Sequence, residues 1–248
     1  MKTGKAFLYG AVMGIVLTGI SVGSLMGQTA EPALSLTAPL PPDINPDTLS
    51  RASRVKKEDF TTDAEKQAFD RTYVLSPKQT VSKWLGPTGT RLQIPELAET
   101  YNTQLKMFHS KSTLGDRYYE LVVSVALRET NNREEWLNHQ VNREKLLGPK
   151  IEEVLKKNLP TTGLDEKDAA IIEYGRELFR KPKVFSKTFA NLERLFGKTN
   201  TLVTTLTMCY YDANGLLMRA YDQHMVTTPG CDGYHIGCLN AKNINNAW

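Results

Sequence analysis

Seven consecutive residues, Leu121-Val122-Val123-Ser124-Val125-Ala126-Leu127, carry no charge and are apolar on nearly every face. Whatever element they form must be covered all round. Three valines give the run strand character, but its flanks, Tyr118-Tyr119-Glu120 before and Arg128-Glu129 after, argue for a helix. The chain around it is patterned the same way. Pro95 suits a first helical position, and Leu97, Tyr101, Leu105 and Phe108 then recur at helical spacing. Gly115-Asp116 opens the helix that holds the apolar run. Further helices are expected over 149–158, over 165–180 with an acidic first turn and a stop at Pro182, and over 186–196 closed by Gly197. A long last helix is expected over about 199–221. Roughly 130 residues of nearly continuous helix suffice for one core. No repeat at a fixed period and no Gly-rich phosphate loop interrupts it. The fold class expected is all-α, one domain over 93–226.

What precedes that domain reads differently. Lys2 and Lys5 are followed by a charge-free apolar stretch from Ala6 to Gly27, the pattern of a secretory signal over residues 1–30. An uncleaved membrane anchor is the alternative, since about 17–25 apolar residues can span a bilayer. Either way the body is expected outside the cytoplasm, periplasmic or secreted. Residues 31–92 are expected as a linker and irregular extension: five prolines fall between Glu31 and Asp47, a short helix is expected over 63–73, and Gly86-Pro87-Thr88-Gly89 reads as a loop. The formal charge is +4, of which the first thirty residues hold two. The remaining +2, with no basic cluster beyond Arg51–Lys57, does not suit a nucleic-acid partner.

Three cysteines remain. Cys231 and Cys238, in the C-terminal tail at 227–248, are spaced to close a small disulfide in an oxidising compartment; a metal reading with His235 lacks a fourth ligand. Cys209 lies in an apolar helical run and is expected as a buried free thiol.

The chemistry concentrates in Glu120-Leu-Val-Val-Ser-Val-Ala-Leu-Arg-Glu-Thr-Asn-Asn-Arg-Glu-Glu-Trp-Leu-Asn-His139. Nineteen residues of straight helix would hold Glu120 and His139 about 28 Å apart. Thr130-Asn131-Asn132 breaks the pattern and offers N-caps, with Glu134 and Glu135 three residues beyond Asn131 and Asn132. A turn there lets the second helix fold back. Glu135 and His139, four apart, then share a face.

Glu120, Asn132, Glu135 and His139, with Glu135-Trp136-Leu137-Asn138-His139, make residues 93–224 resemble the carboxymuconolactone decarboxylase-like family, which includes the alkylhydroperoxidase D-type proteins. The peroxidase branch of that family carries two cysteines where this chain has Asn132 and Glu135. Without a thiolate to attack a peroxide and a second thiol to resolve the product, thiol peroxidase chemistry is not expected. The resemblance implies a helical bundle, homo-oligomerisation and a decarboxylase-type (lyase) site: His139, Glu120 and Glu135 as acid–base groups, with Tyr210, Tyr211 and Asn214 of the last helix forming a pocket wall. Asn132, as a cap, and Trp136 line the same site, and Arg128 and Arg133 are candidates for a substrate carboxylate. Expected with it are a small organic acid or lactone as substrate and no cofactor. A metal held by Glu120, Glu135 and His139 is chemically admissible, but the spacing does not require one. The competing reading is a non-catalytic small-molecule-binding or oligomeric scaffold protein built on the same fold.

Overall fold

The computed structural model describes residues 40–74 and 86–224. The expected signal segment and the Cys231–Cys238 pair lie outside the described residues. Within them the chain is all-α, without a β-strand; an isolated antiparallel bridge joins Asn45 and Ser50. No described helix is long and apolar enough to cross a membrane.

Nine α-helices follow in order: α1 (Asp63–Val74), α2 (Gly86–Arg91), α3 (Pro95–Lys111), α4 (Gly115–Glu129), α5 (Arg133–Asn138), α6 (Gln140–Leu146), α7 (Pro149–Lys156), α8 (Glu166–Arg180) and α9 (Ser186–Ala220). Residues 121–127 of α4 are wholly buried, as an all-round apolar helix must be. They are covered by α8 and α9, and by α5, α6 and α7. Arg117 adds a two-pronged bridge from α4 to Asp168 of α8, at 2.7 and 2.8 Å. Asp165 caps α8 by accepting from the Lys167 amide at 2.9 Å. Of the face expected on α3, Phe108 is buried but Leu97 is exposed, and Ala98 takes the inward position instead.

Gly197 divides α9. Its φ of +79° and ψ of 165° lie in a region that side chains disfavour, so 186–196 ends there and 198–220 starts on a new axis. The second segment runs past α8, α4 and α3.

Before the bundle, α1 stands where a short helix is expected over 63–73, and among the described residues of this segment one expectation is corrected. Gly86-Pro87-Thr88-Gly89 is part of helix α2 rather than a loop. Residues 48–51 are strapped to the end of α9: the Arg51 amide donates to Tyr221 O, the His224 amide to Leu49 O, and Gln223 Nε2 to Thr48 O and Leu49 O. Gln223 Oε1 in turn accepts from the Gly86 amide at 3.0 Å. These bonds hold α2 against α9, so that Arg91, its last residue, reaches the bundle interior.

Candidate functional site

The site is built by the turn between α4 and α5. Asn131 takes a left-handed φ of +54°, a conformation asparagine tolerates better than most residues. The Asn132 amide then donates back to Leu127 O at 2.9 Å, and Asn132 Oδ1 accepts from the Glu135 amide at 3.2 Å, capping α5. The chain reverses, and α5 runs back along α4. Gly215 permits the close seat of the turn against α9, since a Cβ there would lie 2.9 Å from Asn132 Nδ2. The same amide nitrogen is 3.5 Å from Tyr211 O.

His139 closes α5 and opens α6, so it sits at a joint between two short helices rather than within one helix. Its Nδ1 lies 3.2 and 3.1 Å from the two carboxylate oxygens of Glu120. With acceptors alone on that side, Nδ1 carries a hydrogen. The other ring nitrogen, Nε2, points to Glu135, 3.9 Å from Oε2. Glu120 Oε1 also lies 3.4 Å from the donating Ser124 hydroxyl, and Glu135 Oε2 accepts from Asn138 Nδ2 at 3.3 Å. The Tyr211 ring meets the imidazole edge-on, with centroids 5.5 Å apart, and Tyr210 packs against Tyr211. The His139 side chain keeps 15% of its surface accessible, against 6% for Glu120 and 5% for Glu135.

Burial decides the charges here. It pushes the Glu135 carboxyl up, beyond what His139, Asn138 and Arg91 do to lower it. Burial alone would depress His139, but the charge and hydrogen bond of Glu120 and the charge of Glu135 outweigh it, and the imidazole is raised. A carboxyl and an imidazole, both raised, therefore face each other across 3.9 Å. The hydroxyls of Tyr210 and Tyr211 are pushed up by burial and stay protonated donors.

Two buried cations serve this region, and neither was among the sequence candidates. Arg91 stacks its guanidinium 3.8 Å from the Tyr101 ring centre and 5.9 Å from that of Tyr210. Its Nη2 donates to Asn214 Oδ1 at 2.7 Å, and its charge acts on Glu135. Nothing local to Gly86–Arg91 signals this, because the contact is made across 123 residues of chain. Arg143 lies over Trp136, 3.6 Å from the ring centre, and Nη1 donates to Trp136 O at 2.6 Å. Burial lowers it to about 10, against the pull of Glu152, Glu120 and Glu144. Here the sequence did hold a signal: Arg143 follows His139 by four and Trp136 by seven, the spacing of one helical face.

Of the residues expected in the site, Glu120, Asn132, Glu135, His139 and Tyr211 come together, and Tyr210 and Asn214 adjoin them through Arg91. Three expectations are corrected. Trp136 is fully buried in the core under Arg143 and offers no open face to a substrate. Arg128 turns away to cap the end of α7, donating to Leu155 O at 3.1 Å and Lys156 O at 3.2 Å. Cys209 is exposed on the outer face of α9, because the inward positions beside it are Met208 and Tyr210. Arg133 is half-buried at the start of α5, and no described hydrogen bond or ion pair joins it to the cluster. Among the described residues no group of three or more His, Cys, Asp or Glu is arranged to hold a metal ion. No family model, no curated protein and no solved structure matches the chain. The case for function rests on the Glu120–His139–Glu135 cluster itself.

Proposed function

We propose that this protein is an exported carboxymuconolactone decarboxylase-like enzyme that uses His139 and Glu135 for acid–base work on a small organic acid or lactone. The observation that carries the reading is the paired arrangement of His139: Nδ1 held by Glu120, Nε2 turned to Glu135. Glu120 orients the ring and stabilises its protonated form, which leaves Nε2 as the position that gives or takes a proton. Glu135, kept protonated further up the pH scale by burial, is the second proton station.

In a decarboxylation the bond between the carboxylate carbon and its neighbour breaks, CO2 leaves, and the electron pair passes into a conjugated carbonyl as a dienolate. His139 then delivers its Nε2 proton to carbon. Arg91 supplies a buried positive charge near that dienolate, while Arg128, expected to receive a substrate carboxylate, is turned to the end of α7. The site offers no thiolate: Asn132 and Glu135 cannot form one, and Cys209 lies on the outer face of α9, its thiol raised by the partial cover its neighbours give and by Asp212. Thiol peroxidase activity is therefore not part of the proposal.

The test is product analysis of the full chain against a panel of lactones and unsaturated carboxylates, following CO2 release. His139→Ala should lower turnover by a factor of about 10² or more, the usual size of an acid–base contribution, while circular dichroism stays unchanged. A panel substrate turned over equally well by that variant would defeat the acid–base reading. One observation favours the competing reading of a binding or scaffold protein: the cluster's polar groups largely satisfy one another, as Glu120 does His139 and Asn214 does Arg91. Binding of a panel compound without turnover, lost in His139→Ala, would select it.

A further inference from the structure

The turn between α8 and α9 gathers cations and aromatic rings that neither the core nor the site uses. Between Glu177 and Glu193 the chain holds Arg180, Lys181, Lys183 and Lys187 and no acid. Pro182, Val184 and the Phe185-Ser186 pair separate these cations in sequence, so they lack the density of the Arg51–Lys57 run. In the fold, Lys181, Lys183 and Lys187 are all exposed, in the turn and the first helical turn after it. Exposed beside them are two large rings, Phe185 at 50% and Phe189 at 43%. The Phe189 amide donates to Phe185 O at 3.0 Å, so the rings stand one helical turn apart on the same face. The core does not need them: Val184, Leu192, Leu195 and Phe196 make the inward contacts of this segment. Nor do nearby acids neutralise the lysines. Glu177 is turned to the start of α9, where it accepts from the Phe185 amide at 2.9 Å and the Thr188 hydroxyl at 2.8 Å. Glu129 holds Arg180, and Glu166 holds Arg194. Among the described residues no ion pair reaches Lys181, Lys183 or Lys187.

We infer that this turn docks on an anionic phospholipid bilayer, the two phenyl rings entering the interface and the three lysines meeting the lipid phosphates. Exposed aromatics among lysines, with acids excluded, have the composition of an interfacial contact. The charge is complementary, three uncompensated cations against a surface of negative headgroups. The kind of cation also favours a bilayer over a nucleic acid or an acidic protein. Lysine is a point charge suited to a diffuse anionic surface, whereas phosphates and carboxylates fixed in place are read by the planar fork of arginine. The two arginines nearby, Arg180 and Arg194, are already held by glutamates. Near an anionic membrane each lysine raises the partition about fivefold, and three together about a hundredfold, which gives a reversible contact. None of these residues belongs to the Glu120–His139–Glu135 cluster, so the inference stands whether or not the functional proposal does. It is also separate from the apolar 6–27 stretch, because residues of the helical body carry it.

The test places its reporter in the turn itself, so that lipid contacts made elsewhere in the full chain are not mistaken for this one. Phe185→Trp, read against wild type, is titrated with vesicles of equal parts phosphatidylglycerol and phosphatidylcholine, and with phosphatidylcholine alone. On the anionic vesicles the emission of the added tryptophan should shift to the blue and be quenched by brominated lipid chains. On the neutral vesicles it should do neither. Hydrogen exchange in the wild-type chain should slow over 181–190 with the same lipid dependence, which guards against a variant that folds poorly. Combining Lys181→Glu, Lys183→Glu and Lys187→Glu should abolish the response with circular dichroism unchanged, while Lys56→Glu, in the other basic run, should leave it intact. No response on anionic vesicles, an equal response on neutral ones, or a response indifferent to the three lysine changes would overturn the inference. A shift produced by polyglutamate or a single-stranded oligonucleotide but not by vesicles would overturn it as well, and would assign the turn to a protein or nucleic-acid partner.

Discussion

The two faces of the 198–220 segment of α9 divide their polar and apolar residues in an uncommon way. Inward, Thr201, Thr204, Thr207, Tyr210, Tyr211 and Asn214 are buried beside Val203, Met208 and Met218; outward lie Leu202, Leu206 and Leu216. Part of the inner polarity is explained by what it meets: Asn214 accepts from Arg91, Tyr211 meets His139, and the Thr201 hydroxyl donates back to Gly197 O, whereas the Thr204 hydroxyl is buried without a hydrogen-bond partner.

The largest expected effect tests whether the inner face is nonetheless the one that holds the fold. Met208 is fully buried against α4 and α8, whereas Leu206 is 38% exposed. Met208→Ala should cost about 2–5 kcal/mol of unfolding free energy. Leu206→Ala, at a side chain already partly in water, should cost less, about 1 kcal/mol. Chemical denaturation of both variants decides it. Equal losses would mean that the outer leucines support the single chain, and the contrast between the faces would be lost.

That contrast also separates what the sequence made legible from what it did not. The buried run at 121–127, the break at Gly197 and the Asn132 cap were readable because each is a local matter: all-round apolarity, a residue free to take positive φ, a side chain that reaches three residues along. The fold-back that joins Glu120 to His139 followed from the turn at Thr130–Asn132. Arg91 was not readable, since its place depends on Gln223, Leu49 and Tyr221 gathering the N-terminal segment onto α9, and such pairings leave no trace in local periodicity. Cys209 was misread for a related reason. Its neighbours are apolar on both sides of the helix, so hydrophobicity alone could not say which face turns inward.

A smaller effect is expected where the inner face meets the turn. Asn132 caps α5 and rests against Gly215, so Asn132→Ala should lose about 1 kcal/mol through the cap. Thermal unfolding gives the loss. Asn132→Asp keeps an acceptor for the Glu135 amide and should recover part of it, although a second carboxylate is then close to Glu135. If alanine proves neutral, the cap contributes nothing and the turn is held by Asn131 and the α4 terminus alone.

The smallest effect is a slope rather than a midpoint, and it asks whether the inner face is electrostatically poised. Glu135 and His139 both hold a proton more tightly in the folded chain than their ordinary values of 4.5 and 6.5. Between those values and the raised ones, the unfolded chain binds fewer protons than the folded chain, so stability falls as pH rises through each window. The stabilisation from Glu135 is complete below about pH 4.5 and is lost on the way up through its folded value; that from His139 is complete below about pH 6.5 and is lost higher still. Glu135→Gln keeps an acceptor for Asn138 but cannot ionise. Its stability relative to wild type should therefore rise as pH climbs above 4.5, and it should retain the later fall that belongs to His139, reduced because one of the charges that raise the imidazole is gone. Parallel stability curves for the two proteins across this range would mean that Glu135 ionises in place without penalty. The pairing of raised groups on which the acid–base proposal depends would then be absent.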